Sequence, residues 1–243
     1  MPEFKYAPEG YPFIFGALAA SVLTGILFFW SWKTGGLSRL SIPLMLCASL
    51  FSLITVFMLY FFRDPERVTP SGQGLFVAPA DGKIILVRDA YEDRYLRADA
   101  KEISIFMSPM DVHVNRAPCD GKVSLVNYSP GKFMAAYKEE ASLLNEHIVM
   151  VLDTEWGQVM VRQVAGFVAR RAVCRVKPGD SLRRGERFGI IKFSSRLDIF
   201  LPKDIKMDVK PGDRVRAGET VIGRLKGDVP GISEKAGKEK EHE

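Results

Sequence analysis

The sequence predicts a mainly β domain preceded by an N-terminal transmembrane helical hairpin. Three observations lead there. Two windows of 22 residues, 11–32 and 41–62, contain no charged side chain. From residue 76 onward the chain is a train of short β-rich runs broken by Gly, Pro and Asp. Two phrases of that region occur twice, which marks an internally repeated architecture.

The whole-chain totals conceal this division. The 243 residues are 47% hydrophobic and 26% charged, with formal charge +5 and pI near 9.1. The two windows hold eight of the 16 Phe, and without them the apolar share falls to about 41%, an ordinary value for one globular domain. These proportions disfavour a wholly soluble protein, a disordered one and a multi-span transporter. Lys33 and Arg39 lie between the windows, so little charge is left to form the clustered basic face that nucleic acid requires. Each window is long enough to cross a hydrocarbon core about 30 Å thick as a helix. A cleaved signal peptide is the alternative for the first, but its leader sets Glu3 and Glu9 against Lys5, a poor positive n-region. Lys33 and Arg39 on one side against Lys5, Arg63 and Arg67 on the other lean, by one charge, towards a cytoplasmic main domain.

After the hairpin (1–62), the breaker-rich stretch Arg63-Asp64-Pro65-Glu66-Arg67 opens a β-rich domain over 63–225. Strands are predicted at 83–87, 102–107, 122–128, 147–152, 158–164, 172–176, 189–193 and 220–225, a helix at 135–145 and a disordered tail at 226–243. Pro79-Ala80-Asp81-Gly82-Lys83 returns as Pro118-Cys119-Asp120-Gly121-Lys122, and Val176-Lys177-Pro178-Gly179-Asp180 returns as Val209-Lys210-Pro211-Gly212-Asp213. Each is a turn feeding a strand. These phrases resemble barrel-sandwich-hybrid domains, the folded β ribbons of biotinyl and lipoyl carriers, although the acceptor-lysine hairpin of a carrier is missing. Cys47, Cys119 and Cys174 are odd in number and lack metal-like spacing, so they read as buried small hydrophobes, with neither a disulfide framework nor a metal site.

Few residues offer chemistry. His113 stands in the polar cluster Asp111-Val112-His113-Val114-Asn115-Arg116 after an apolar run; taken alone, it reads as a satisfied structural histidine. Arg162, Arg170 and Arg171 surround an apolar segment and suit a phosphate or carboxylate, since guanidinium pairs with such anions bidentately; a solvated face is the plain alternative. The run Arg187-Phe188-Gly189-Ile190-Ile191-Lys192-Phe193 stops at Ser194-Ser195, which by itself is a turn.

In combination, Phe62-Arg63-Asp64-Pro65-Glu66-Arg67, Pro79-Ala80-Asp81-Gly82, residues 105–118, residues 163–174 and residues 187–198 resemble, in order, the short membrane-attached phosphatidylserine decarboxylases. The resemblance implies a proenzyme that cuts itself between Ser194 and Ser195, giving a β chain (1–194) and an α chain (195–243). Ser195 would become a covalent pyruvoyl group that takes the substrate amine as a Schiff base and accepts the electrons released with CO2. It further implies His113 as a general acid or base, Asp81 as an aid to self-cleavage, and a phospholipid substrate met at the cell membrane, with phosphatidylethanolamine as product. A homodimer is compatible with this reading, and nucleic acid has no part in it. Two positions depart from the family pattern: Arg116 stands where longer members have a second histidine, and Ser194 where glycine is usual. The rival reading from another class is a non-catalytic membrane-anchored β module that binds lipid or a partner protein.

Overall fold

The computed structural model describes residues 5–132, 144–166, 171–193 and 195–225, which fall into two compact units. The first runs to Glu66 and takes in Pro109–Val114; the second holds Arg67–Ser108 and the chain from Asn115.

In the first unit β1 (Lys5–Tyr6) leads through a 3-10 turn into α1 (Tyr11–Gly35) and α2 (Ser41–Phe61), and β2 (Arg63–Asp64) returns to pair with β1. Both helices are long and apolar enough to cross a membrane. Outward-facing apolar side chains such as Phe15, Trp30 and Leu53 are about two-thirds exposed, as lipid-facing residues would be. Several polar side chains find partners within the hairpin. Thr24 donates to the Ala20 carbonyl, Thr55 to that of Phe51, and Ser21 and Ser52 bond between the helices at 2.7 Å.

The second unit is almost wholly β. Its strands are β3 (Leu75–Val77), β4 (Gly82–Glu92), β5 (Ala98–Met107), β6 (Val114–Arg116, with Val114 from the first unit), β7 (Gly121–Ser129), β8 (His147–Thr154), β9 (Gly157–Ala165), β10 (Arg171–Cys174), β11 (Ser181–Leu182), β12 (Arg187–Lys192), β13 (Ser195–Pro202), β14 (Ile205–Met207), β15 (Arg214–Val215) and β16 (Val221–Leu225). An eight-stranded sheet runs in the order β11-β7-β8-β9-β13-β5-β4-β15, flanked by the three-stranded sheets β10-β12-β6 and β14-β16-β3. Side chains alternate across the large sheet. One face sends Ile103, Ile105, Val159, Val161, Leu197, Ile199 and Leu201 into the main core. The other face packs Ala100, Val149, Val151, Met160 and Phe200 as a smaller cluster.

The repeats meet as two equivalent pairs. Ile84 N–H donates to Asp213 and Gly212 N–H returns to Ile84; Val123 N–H donates to Asp180 and Gly179 N–H returns to Val123. Gly179 and Gly212 both sit at φ near +100°, where a side chain would strain the turn, and Asp180 and Asp213 each accept the N–H three residues back at 2.9 Å. Both ladders carry a register shift at the same place, Ile84/Leu86 and Val123/Leu125.

All eight predicted strands are present. The predicted turn at Ser195 is instead the start of β13, a central strand of the large sheet. Arg196 and Asp198, charged residues of that strand, are both buried and paired with each other. The predicted helix at 135–145 falls almost entirely, and the predicted tail at 226–243 entirely, outside the described residues.

Candidate active site

Ser195 opens β13 between two strands, opposite Met107 of β5 and Ala165 of β9. It is completely buried, on the main-core face shared with Leu197 and Ile199. Its hydroxyl lies 3.3 Å from the Met107 sulfur, a weak acceptor that holds the oxygen loosely. Two residues earlier Phe193 has φ +57°, a left-handed conformation that costs a residue with a Cβ roughly 1–3 kcal/mol. Ser194, between them, is outside the described residues.

Three residues not singled out from the sequence lie around this serine: Met107, Asn115 and Gln163. Asn115 Nδ2 faces the Met107 sulfur at 4.0 Å, and Asn115 Oδ1 accepts from Gln163 Nε2 at 2.8 Å. Gln163 Nε2 also reaches the Val173 carbonyl at 3.3 Å. Gly189 admits this approach, since a Cβ there would stand 2.8 Å from Gln163 Nε2 and 2.3 Å from the Val173 oxygen. No motif flags a lone Asn, Gln or Met. The available clue was alternation, which sets Gln163 on the apolar face of a strand where a polar side chain needs a reason.

Asp81 lies just before β4. Lys83 pairs with Phe106, and Ser195 with the next residue, Met107. Asp81 and Ser195 therefore flank the same end of β5, with their backbones roughly 10 Å apart across two strand spacings. Asp81 Oδ2 accepts from Arg67 at 2.8 Å and Oδ1 from the Ala217 amide at 2.7 Å. Arg67 also pairs with Glu219 at 2.9 Å. Arg116, at the place of the second histidine in longer members, donates to the Gly185 carbonyl at 3.0 Å.

His113 belongs to the first unit, where its ring lies 4.2 Å from that of Phe61, the last residue of α2. The segment carrying it is tied to the helix end, because Tyr60 Oη and Arg63 both donate to the Met110 carbonyl. Nδ1 lies 3.0 Å from the Asp111 carbonyl, which can only accept, so Nδ1 carries the hydrogen and Nε2 the lone pair. Nε2 is buried and has no partner among the described residues. Burial, the largest cause, brings the His113 pKa down from 6.5 to about 4, against the opposing effect of the Asp111 carbonyl. The unfolded chain binds this proton from about pH 6.5 downward and the folded one only near 4, so the unfolded state holds more protons in between. Stability should therefore fall as pH drops across that window, by up to about 3 kcal/mol. Melting curves in detergent at pH 7 and pH 4.5 check this. His113→Gln should flatten the difference, and an equal pH slope in that variant would assign it elsewhere.

The arginines separate. Arg162 is buried on the sheet face opposite Ser195, 3.5 Å from Glu92 and over the Phe200 ring. The structure does not bring it to the serine. Arg171 is exposed at the start of β10, paired in register with Lys192, three residues before Ser195. Arg170 is outside the described residues. On the same opposite face Arg196 bonds Asp198 at 2.5 Å and Ser104 at 2.7 Å, with Glu102 at 3.9 Å. Burial pushes the Cys119 thiol up to about 12, so it stays an inert core group.

Residues 54–223 match the family described as phosphatidylserine decarboxylase. A protein of Geobacter sp. (strain M21) named phosphatidylserine decarboxylase proenzyme is 46% identical over 220 residues, covering 90% of this chain and 96% of its own. Proteins of the same name from Symbiobacterium thermophilum and Nitrosomonas europaea are 44% and 43% identical, covering 90% and 92% of this chain and 95% and 97% of their own. The chain belongs to the phosphatidylserine decarboxylase family.

Proposed function

We propose that this chain is a self-processing, pyruvoyl-dependent enzyme that converts phosphatidylserine to phosphatidylethanolamine and CO2 at the cell membrane, with its β unit on the cytoplasmic side. The observation that carries the reading is Ser195 itself, a dry, weakly held hydroxyl at the head of a central strand, two residues after the strained Phe193. In processing, Ser195 Oγ attacks the Ser194 carbonyl carbon as the C–N bond breaks, giving an ester. Elimination releases the Ser194 carboxylate, and water then replaces the nitrogen at position 195, which leaves as ammonia.

The surroundings fit a pyruvoyl group. It is small and neutral, and Met107, Ala165 and Leu197 offer it an apolar, close-packed wall. At that position the group supplies the electron sink that decarboxylation needs and that ordinary side chains lack. The chain's own residues do the rest. Apolar packing excludes water, which favours loss of a charged carboxylate as neutral CO2. His113, neutral at pH 7 with Nε2 bearing the lone pair, suits a proton carrier. Asp81, held by Arg67 and the Ala217 amide, ties segments from both sides of the cut together, two strands away from Ser195.

Arg171 and Lys192 are the cations we assign to the lipid phosphate. Arg171→Ala should raise KM for phosphatidylserine in mixed micelles by about tenfold, the loss of one charge-assisted hydrogen bond, with cleavage intact; an unchanged KM would refute the assignment. The hairpin keeps the enzyme beside a substrate that leaves the bilayer only at about 0.8 kcal/mol per buried CH2. Intact mass under denaturing conditions tests the whole reading. It should find chains of 194 and 49 residues, 243 together, the smaller beginning with a borohydride-reducible group. A chain that stays whole on long incubation and releases no CO2 rejects it.

A further inference from the structure

Gln163 is almost completely buried, and its carboxamide has a determined orientation. The Val173 carbonyl can only accept a hydrogen bond, so Nε2 must face it, with Asn115 Oδ1 as the second acceptor. Oε1 is thereby turned away from both, and it is buried with no hydrogen-bond partner among the described residues. An unsatisfied buried acceptor is costly and calls for a donor. Leu197 pairs with Gln163 where Ser195 pairs with Ala165. Gln163 is thus the diagonal neighbour of Ser195 on the same sheet face, within reach of a long side chain.

Among the described residues, the polar groups beside it are directed elsewhere. Asn115 Nδ2 faces the Met107 sulfur, and the Ser195 hydroxyl faces the same atom. That hydroxyl is, moreover, consumed if Ser195 is processed. The donor that suits Oε1 is an N–H delivered to position 195 from outside, and the substrate of the proposed reaction carries a primary amine. We propose that Gln163 contacts the substrate, its Oε1 accepting the hydrogen of the amine nitrogen held at position 195. A carbonyl oxygen facing that nitrogen would favour its protonated, positively charged form and so would support the electron sink that a pyruvoyl group would supply there. Asn115 and Gly189 are then positioning residues: Asn115 anchors the amide nitrogen and Gly189 leaves it room.

This inference rests on the proposed function, and its test reads the two separately. Full-length wild type and Gln163→Met are incubated in mixed micelles with phosphatidylethanolamine, the product amine, and cyanoborohydride. Intact mass then reports both cleavage and the lipid amine fixed to the smaller chain. Gln163→Met should cleave as the wild type does, while amine fixation and kcat both fall about 10- to 100-fold, the loss of a hydrogen bond to a charged group. KM should change by less than about threefold, since the phosphate contacts are untouched. Gln163→Glu, protonated in this buried place, keeps an oxygen at the Oε1 position and a hydroxyl towards the Val173 carbonyl, and should retain fixation within about threefold of wild type. It also carries the test if the Met variant does not fold. Fixation by Gln163→Met within about twofold of wild type, or loss of fixation in a folded, cleaved Gln163→Glu, would overturn the inference. So would a folded Gln163→Met chain that stays uncleaved, since the acceptor would then serve the precursor. A wild-type chain that stays uncleaved would reject the proposed function instead.

Discussion

Ser195→Ala leaves one uncleaved chain and no CO2 release, with a melting curve close to that of the wild type. The hydroxyl is buried against a thioether at 3.3 Å, so deleting it removes one weak contact, and the change in stability should stay within about 1 kcal/mol. The ladder to Met107 and Ala165 is made by backbone and remains. Processing has no substitute nucleophile at that carbon, so both cleavage and turnover should vanish rather than slow. Ser194→Ala should still cleave, because only the carbonyl of that residue is attacked. Cleavage of the Ser195→Ala chain, or its absence from Ser194→Ala alone, would move the nucleophile. Intact mass and release of labelled CO2 read both results.

Arg196→Met destabilises the protein by about 3–5 kcal/mol, the usual penalty for leaving a buried charge without its partner. Asp198 is fully buried with Arg196 Nε at 2.5 Å, and Arg196 Nη2 also holds Ser104 across the ladder at 2.7 Å. The double variant Arg196→Met with Asp198→Leu should recover much of the loss, since well-packed apolar pairs often replace buried ion pairs at little cost. Ser104→Ala, which strands no charge, should cost only about 1 kcal/mol. Denaturation midpoints in detergent order the three variants. A single variant no less stable than the double would show the pair to be dispensable.

Arg196 and the predicted strands mark the two ends of what is readable in the sequence. Runs such as 102–107 and 158–164 announce themselves by apolar and β-branched residues, and each appears as a strand, extended by a few residues at its ends. β13 carries the same apolar alternation in Leu197, Ile199 and Leu201, but its intervening positions hold Arg and Asp. Only the tertiary fold reveals that these charges are buried together, because their partners Ser104 and Glu102 are more than 90 residues away in the chain. The repeated phrases were legible as turns, whereas their mutual pairing was not, since hydrogen bonds between distant turns leave no local pattern. Ser195 stands out only through a resemblance spread over five phrases. Its neighbours Met107, Asn115 and Gln163 escaped because each is an ordinary residue until the sheet sets it beside the serine.

The paired repeats bear on how long such a molecule lasts. A cut ahead of β13 divides one of those pairs, Ile84 with Asp213, between two polypeptides, and leaves the other, Val123 with Asp180, in the first. The later piece supplies a strand between β5 and β9, β15 beside β4, and β16 beside β3. While folded, the two pieces are held by the same ladders as the uncut chain. Once unfolded, they must find each other by diffusion, so reassembly becomes second order and dilution works against it. The working lifetime of the cut protein is then set by its rate of unfolding, and each copy has one opportunity to fold as a single chain.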